Sequence, residues 1–115
     1  QPRVQYVLYP GLENHPGYEI NKAQTTGFGG MISFVVDNAE TARQILEGVK
    51  LIKFAESLGG TESLITYPIR QTHTDLTAEE CAEKGITDCL LRFSTGIEAT
   101  QDLIDDLAQA FAAVK

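Results

Sequence analysis

The chain has 115 residues, with 9 Lys and Arg against 16 Asp and Glu, a formal charge of −7 at pH 7 and 43% hydrophobic residues. That length holds one domain, residues 1–115, with a modest core and little room for a second. The acidic balance speaks against nucleic acid, whose phosphates are bound through clustered Lys and Arg, and no apolar run approaches the roughly 18 residues of a membrane span.

Val4 to Tyr9 alternates like a strand and stops at Pro10-Gly11. Pro16 suits the first turn of a short helix reaching about Gln24. Gly27-Phe28-Gly29-Gly30 approaches a second strand, Met31 to Val36, rich in β-formers. Asn38 is a good N-cap for a helix whose apolar stripe is Ala42, Ile45, Leu46 and Val49. Leu51 to Phe54 reads as a third strand, followed by the turn Ser57-Leu58-Gly59-Gly60 and a short strand from Ser63 to Tyr67 ended by Pro68. Thr77 to Glu80 is a capping box, and Gly85 closes that helix. Cys89 to Thr95 alternates as a strand. A last helix from about Thr100 carries Leu103, Ile104, Leu107, Phe111 and Val114 on one face, and its charges, Asp102, Asp105 and Asp106 among them, read as a solvated face. The pattern predicts one α/β (α+β) domain, a sheet with helices against one face.

Metal binding fails on spacing. His15, His73, Cys81 and Cys89 form no C-x-x-C or H-x-x-x-H pair, so they read as surface imidazoles and partly buried thiols. Two cysteines are too few for a disulfide scaffold, no signal peptide is visible, and a reducing, cytoplasmic compartment is expected. Gly27 to Gly30 leads into a strand and lacks a Gly-Lys-Ser/Thr, so it reads as a turn for close backbone approach and not as a phosphate loop. Ser57, His73 and Asp75 contain triad residue types, but Ser57 sits in no nucleophile elbow.

Arg92 stands out. In Leu90-Leu91-Arg92-Phe93-Ser94 it alternates against Leu91 and Phe93, and a guanidinium in such a strand needs an anionic partner. Its planar fork matches a carboxylate in two parallel hydrogen bonds. That partner is either one of the sixteen acids of the chain or an anionic ligand. Ser57, beside Gly59-Gly60, either bonds its own turn or adds a hydroxyl to the same anion.

Several runs, in order across nearly the whole chain, resemble the C-terminal domain of the cystathionine γ-synthase/γ-lyase family of pyridoxal-phosphate enzymes. They are Tyr9-Pro10-Gly11-Leu12 with His15-Pro16, Gly27-Phe28-Gly29-Gly30-Met31, Ala55-Glu56-Ser57-Leu58-Gly59-Gly60 with Glu62-Ser63-Leu64, Gln71-Thr72-His73, and Leu91 to Glu98 with Asp102-Leu103. The resemblance implies a small, mainly antiparallel sheet with helices on one side, the C-terminal part of a fold-type-I enzyme. It implies that Arg92 binds the substrate α-carboxylate with Ser57, that Thr72 helps to orient the arginine, and that Glu56 faces the distal end of the substrate, with Leu58 also substrate-binding. It implies a homotetramer, an amino-acid substrate and chemistry that forms or cleaves C–S bonds of sulfur amino acids. Pyridoxal phosphate and its lysine would belong to a large domain upstream of Gln1, so this chain alone is expected to hold no catalytic residue and no cofactor. Glu56 leans toward members handling cystathionine over methionine γ-lyases or O-acylhomoserine sulfhydrylases. The alternative from a different class is a non-catalytic amino-acid-binding or regulatory module.

Overall fold

The computed structural model describes residues 1–55, 58–71, 77–83 and 87–115, with all side chains there except those of residues 70, 71, 78, 81 and 82. In chain order these form β1 (Val4–Leu8), α1 (Tyr18–Gln24), β2 (Met31–Val36), α2 (Ala39–Gly48), β3 (Lys53–Phe54), β4 (Leu64–Thr66), α3 (Pro68–Gln71), α4 (Ala78–Glu83), β5 (Leu90–Ser94) and α5 (Thr100–Ala112). The strands make one sheet in the order β1-β2-β5-β4-β3, antiparallel except for the parallel β3–β4 pair.

Strand alternation divides the sheet into two unlike faces. Ile32, Phe34 and Val36 of β2, Leu91 and Phe93 of β5 and Ile65 of β4 turn toward α2 and α5, where Ala42, Ile45, Leu103 and Ala110 complete the core. Each fully buried Ile or Leu there contributes about 1.5–3 kcal/mol. The second face carries Ser33, Arg92 and Thr66 in one cross-strand row, and Met31, Ser94 and Leu64 in the next. At its far end Ile69 of α3 packs on Val35 and Leu90. The long helices therefore lie on one face as expected, and a single turn led by Pro68 at its first position reaches the other.

Local rules explain most boundaries. Asn38 Oδ1 accepts from the Thr41 N–H at 2.9 Å and starts α2, and Thr77 Oγ1 accepts from the Glu80 N–H at 3.1 Å and starts α4. Gly85, expected to close α4, lies outside the described residues. Gly29 takes a left-handed φ of +82°, and a Cβ on Gly30 would lie 2.5 Å from Thr95 Oγ1. The glycine run is thus the close-approach turn its composition suggested.

The C-terminal helix corrects the sequence reading. Asp106 is not on a solvated face: it is 6% exposed, between the buried Leu103 and Ala110. Its carboxylate accepts the backbone N–H groups of Lys50, Leu51 and Ile52, each at 2.8 Å. Three successive amides turned onto one carboxylate cannot also join a strand ladder, so the expected strand from Leu51 shrinks to Lys53–Phe54. Ile104, expected in the apolar stripe, is instead 53% exposed.

Burial raises the Asp106 pKa, but hydrogen bonds from the Ile52 and Lys50 amides, Gln109 and the Leu51 amide outweigh it and hold the carboxyl below its usual 3.8. Glu98 is also held low, chiefly by the Ser63 backbone N–H. Both groups bind protons more weakly folded than unfolded. Their stabilisation is thus present above their ordinary carboxylate pKa values and is lost as pH falls through the lowered ones. Urea midpoints measured at pH 6 and pH 3 should fall in acid; a midpoint that holds or rises would contradict these contacts.

Beyond β5, the Ser63 hydroxyl donates to Glu98 Oε1 at 2.8 Å and accepts the Gly96 N–H at 2.7 Å. A Cβ on Gly96 would collide with the Thr61 carbonyl oxygen and lie 2.5 Å from Glu98 Oε1 and 2.6 Å from the Glu62 carbonyl carbon. Backbone cannot yield as a side-chain tip can, so Gly96→Ala should cost about 2–3 kcal/mol, read as a lower denaturant midpoint. An unchanged midpoint would show that the Thr61–Glu62 turn can move aside.

Candidate functional site

The uncovered part of the second face centres on Arg92. Antiparallel pairing sets Ser33 on one side of it and Thr66 on the other, with Leu90 and Ser94 two residues away along its own strand. Arg92 is half-buried, and its Nε is buried with no hydrogen-bond partner. The ion pairs among the described residues use Arg3 and Arg43, with Asp37, Glu40 and Glu47, and none uses Arg92. Of the two partners open to Arg92, no acid of the described residues fills the role. A cation held in a strand with an orphaned donor is prepared for an anion from elsewhere.

Ala55 and Gly59 are fastened beside it. Thr66, 1% exposed, donates its hydroxyl to the Ala55 carbonyl at 2.8 Å, and the Ala55 N–H reaches the Ile65 carbonyl at 3.1 Å. Four residues later the Gly59 N–H donates to Ser94 Oγ at 3.1 Å. Gly59 has φ +71°, which glycine adopts without strain. Leu58, 57% exposed, lines a small pocket of about 200 Å³ with Gly30, Met31, Gly59, Gly60, Ser94 and Thr95.

Of the residues singled out in the sequence, Arg92 and Leu58 are thus on or beside this face. Glu56, Ser57 and Thr72 lie outside the described residues, as do His73 and Asp75. His15 is half-buried and accepts the Gly17 N–H through Nδ1 at 2.9 Å. The Cys89 thiol is half-buried, and burial pushes its pKa up. Among the described residues no three His, Cys, Asp or Glu side chains are grouped to hold a metal, and no helix is long and apolar enough to cross a membrane. Sequence reading passed over Thr66 and Ser94. The available signal was alternation, which sets both hydroxyls on the arginine's face.

Residues 1–112 match the family model of Cys/Met metabolism PLP-dependent enzymes. A cystathionine gamma-lyase of Bacillus subtilis is 50% identical over 95% of this chain and 29% of its own length. An L-methionine gamma-lyase of Fusobacterium nucleatum is 47% identical over 98% of this chain and 29% of its own. The solved structure of a cystathionine gamma synthase from Xanthomonas oryzae pv. oryzae in complex with aminoacrylate and cysteine superposes with a TM-score of 0.91 at 43% identity, covering 97% of this chain and 29% of that one. The chain spans less than a third of the length of each of these relatives.

Proposed function

Because the chain belongs to the family of Cys/Met metabolism PLP-dependent enzymes, we propose that it is the substrate-clamping part of a longer enzyme that forms or cleaves C–S bonds of sulfur amino acids. The observation that carries this reading is the Arg92 guanidinium, half-buried with an orphaned Nε and no acid partner among the described residues. An amino-acid α-carboxylate supplies the missing charge and two acceptor oxygens in the fork geometry that arginine presents. Ser57 adds a hydroxyl to that carboxylate, Thr72 helps to orient the arginine, Leu58 contacts the substrate, and Glu56 meets its distal end. Held at one carboxylate, a substrate keeps a fixed orientation at Cα, which converts binding into alignment for reaction.

We place the pyridoxal-phosphate site outside the described residues. The cofactor requires a lysine for its Schiff base, a phosphate cup and an acid at the pyridinium nitrogen. Lys22, Lys50, Lys53 and Lys115 are all exposed, and Lys22 lies against the Tyr18 ring at 5.8 Å. We therefore assign the cofactor to a large domain outside this chain, and further copies of the protein to a homotetramer.

The competing reading is a free amino-acid-binding module. Tyr6, Leu8 and Leu58, on or beside the arginine's face, are 45–57% exposed, which favours a face covered by the rest of a longer enzyme. Lyase and synthase separate by assay of the complete protein. Cystathionine consumed without a second substrate identifies a lyase, and cystathionine made from an O-acylhomoserine and cysteine identifies a synthase. Activity toward none of these, nor toward methionine, nor toward an O-acylhomoserine with sulfide, would overturn the enzymatic reading.

A further inference from the structure

We propose that Thr66 and Ser94 are positioning residues of the Arg92 site, fastening the 55–59 loop to the two strands that hold the arginine in register. The inference rests on the carboxylate reading above and adds residues that reading does not use. Thr66 is the cross-strand neighbour of Arg92, and Ser94 follows it by two residues on the same strand face, roughly 6.6 Å along β5. Both are almost fully buried, at 1% and 3% exposure. Their hydroxyls reach the two ends of the loop, Thr66 the Ala55 carbonyl and Ser94 the Gly59 N–H.

Neither hydroxyl is explained by packing. A valine in place of Thr66 has nearly the same shape and suits a strand as well. What valine cannot do is donate to a carbonyl, and what alanine at 94 cannot do is accept from an amide. Each bond therefore serves the loop that Thr66 and Ser94 bracket, and Glu56, Ser57 and Leu58 lie between the bracketed ends in the chain. Ala55 and Gly59 are thereby tied to the arginine's own neighbours and keep a fixed place relative to the guanidinium. Such support matters because about 1 Å of misplacement can cost up to 100-fold in a positioned reaction.

The test uses the complete enzyme. Thr66→Val and Ser94→Ala should each raise KM for the amino-acid substrate on the order of 10-fold, with the larger share of the change in KM and not in kcat, and Thr66→Ser should restore it. In an Arg92→Ala background the same substitutions should add almost nothing, because the loop then has no guanidinium to be registered against. Wild-type KM in both single variants, with KM raised by Arg92→Ala, would overturn the positioning role and leave the carboxylate reading intact. Effects that multiply in full with Arg92→Ala would overturn it as well. An unchanged KM in Arg92→Ala itself would remove the carboxylate reading on which the inference stands.

Discussion

Arg92→Ala in the complete enzyme is expected to raise KM for amino-acid substrates on the order of 100-fold. Removing one partner of a buried, hydrogen-bonded charge pair costs about 2–5 kcal/mol, and each 1.4 kcal/mol is tenfold in affinity. Arg92→Lys restores the charge but not the planar fork, so KM should stay raised by about tenfold. The same substitution has an unusual signature in stability. Arg92 Nε has no hydrogen-bond partner and the side chain no acid partner among the described residues. Its removal should leave the melting temperature unchanged or higher, since an uncompensated half-buried cation is a cost to the fold. A raised KM together with a strongly lowered melting temperature would instead mark Arg92 as a structural residue.

Asp106→Ala carries the largest expected effect on stability. The carboxylate satisfies three consecutive amides, Lys50 to Ile52, and is bonded at 3.1 Å by the Gln109 side-chain amide. The same Gln109 nitrogen reaches the Gly48 carbonyl at 2.6 Å, while the Gly48 backbone lies against Ala110. The carboxylate therefore joins the end of α2 to the middle of α5. Alanine would leave the amides unpaired, and we expect a loss of about 3 kcal/mol. In hydrogen exchange on the complete protein, amides 50–52 should exchange roughly 100-fold faster if they open locally. Asp106→Asn keeps one acceptor oxygen and should fall between. Exchange at the wild-type rate in Asp106→Ala would contradict the assignment.

Much of this was legible from residue pattern. β2 begins and ends where its β-formers do, at Met31 and Val36, because both faces of an interior strand must be filled and the apolar run marks its length. Asn38 and Thr77 announced their helices because an N-cap is a local bond that needs no tertiary partner. Asp106 shows where local reading fails. Its three donors lie 54–56 residues away in the chain, and nothing near it in sequence distinguishes it from Asp102 or Asp105. Only its place in the apolar stripe, between Leu103 and Ala110, hints at burial.

The site divides in the same manner. Arg92 was visible because a charge in an apolar strand is locally anomalous, and its orphaned nitrogen gives that anomaly a physical form. Thr66 and Ser94 carry no local anomaly, because hydroxyls are ordinary in strands and their partners, Ala55 and Gly59, lie 11 and 35 residues away in the chain. The runs around Gly29, Gly59 and Leu91 to Glu98 carried the family resemblance, and residues 1–112 match that family.

Whether Arg92 meets a substrate carboxylate is read by comparing an amino-acid substrate with its α-carboxamide analogue. KM for both should be determined on the complete enzyme and on its Arg92→Ala variant. The wild-type enzyme should discriminate against the neutral carboxamide by about 100-fold, as loss of a charged partner demands, and the variant should treat the two almost alike. Equal preference for the carboxylate in both proteins would place the carboxylate's partner elsewhere than Arg92.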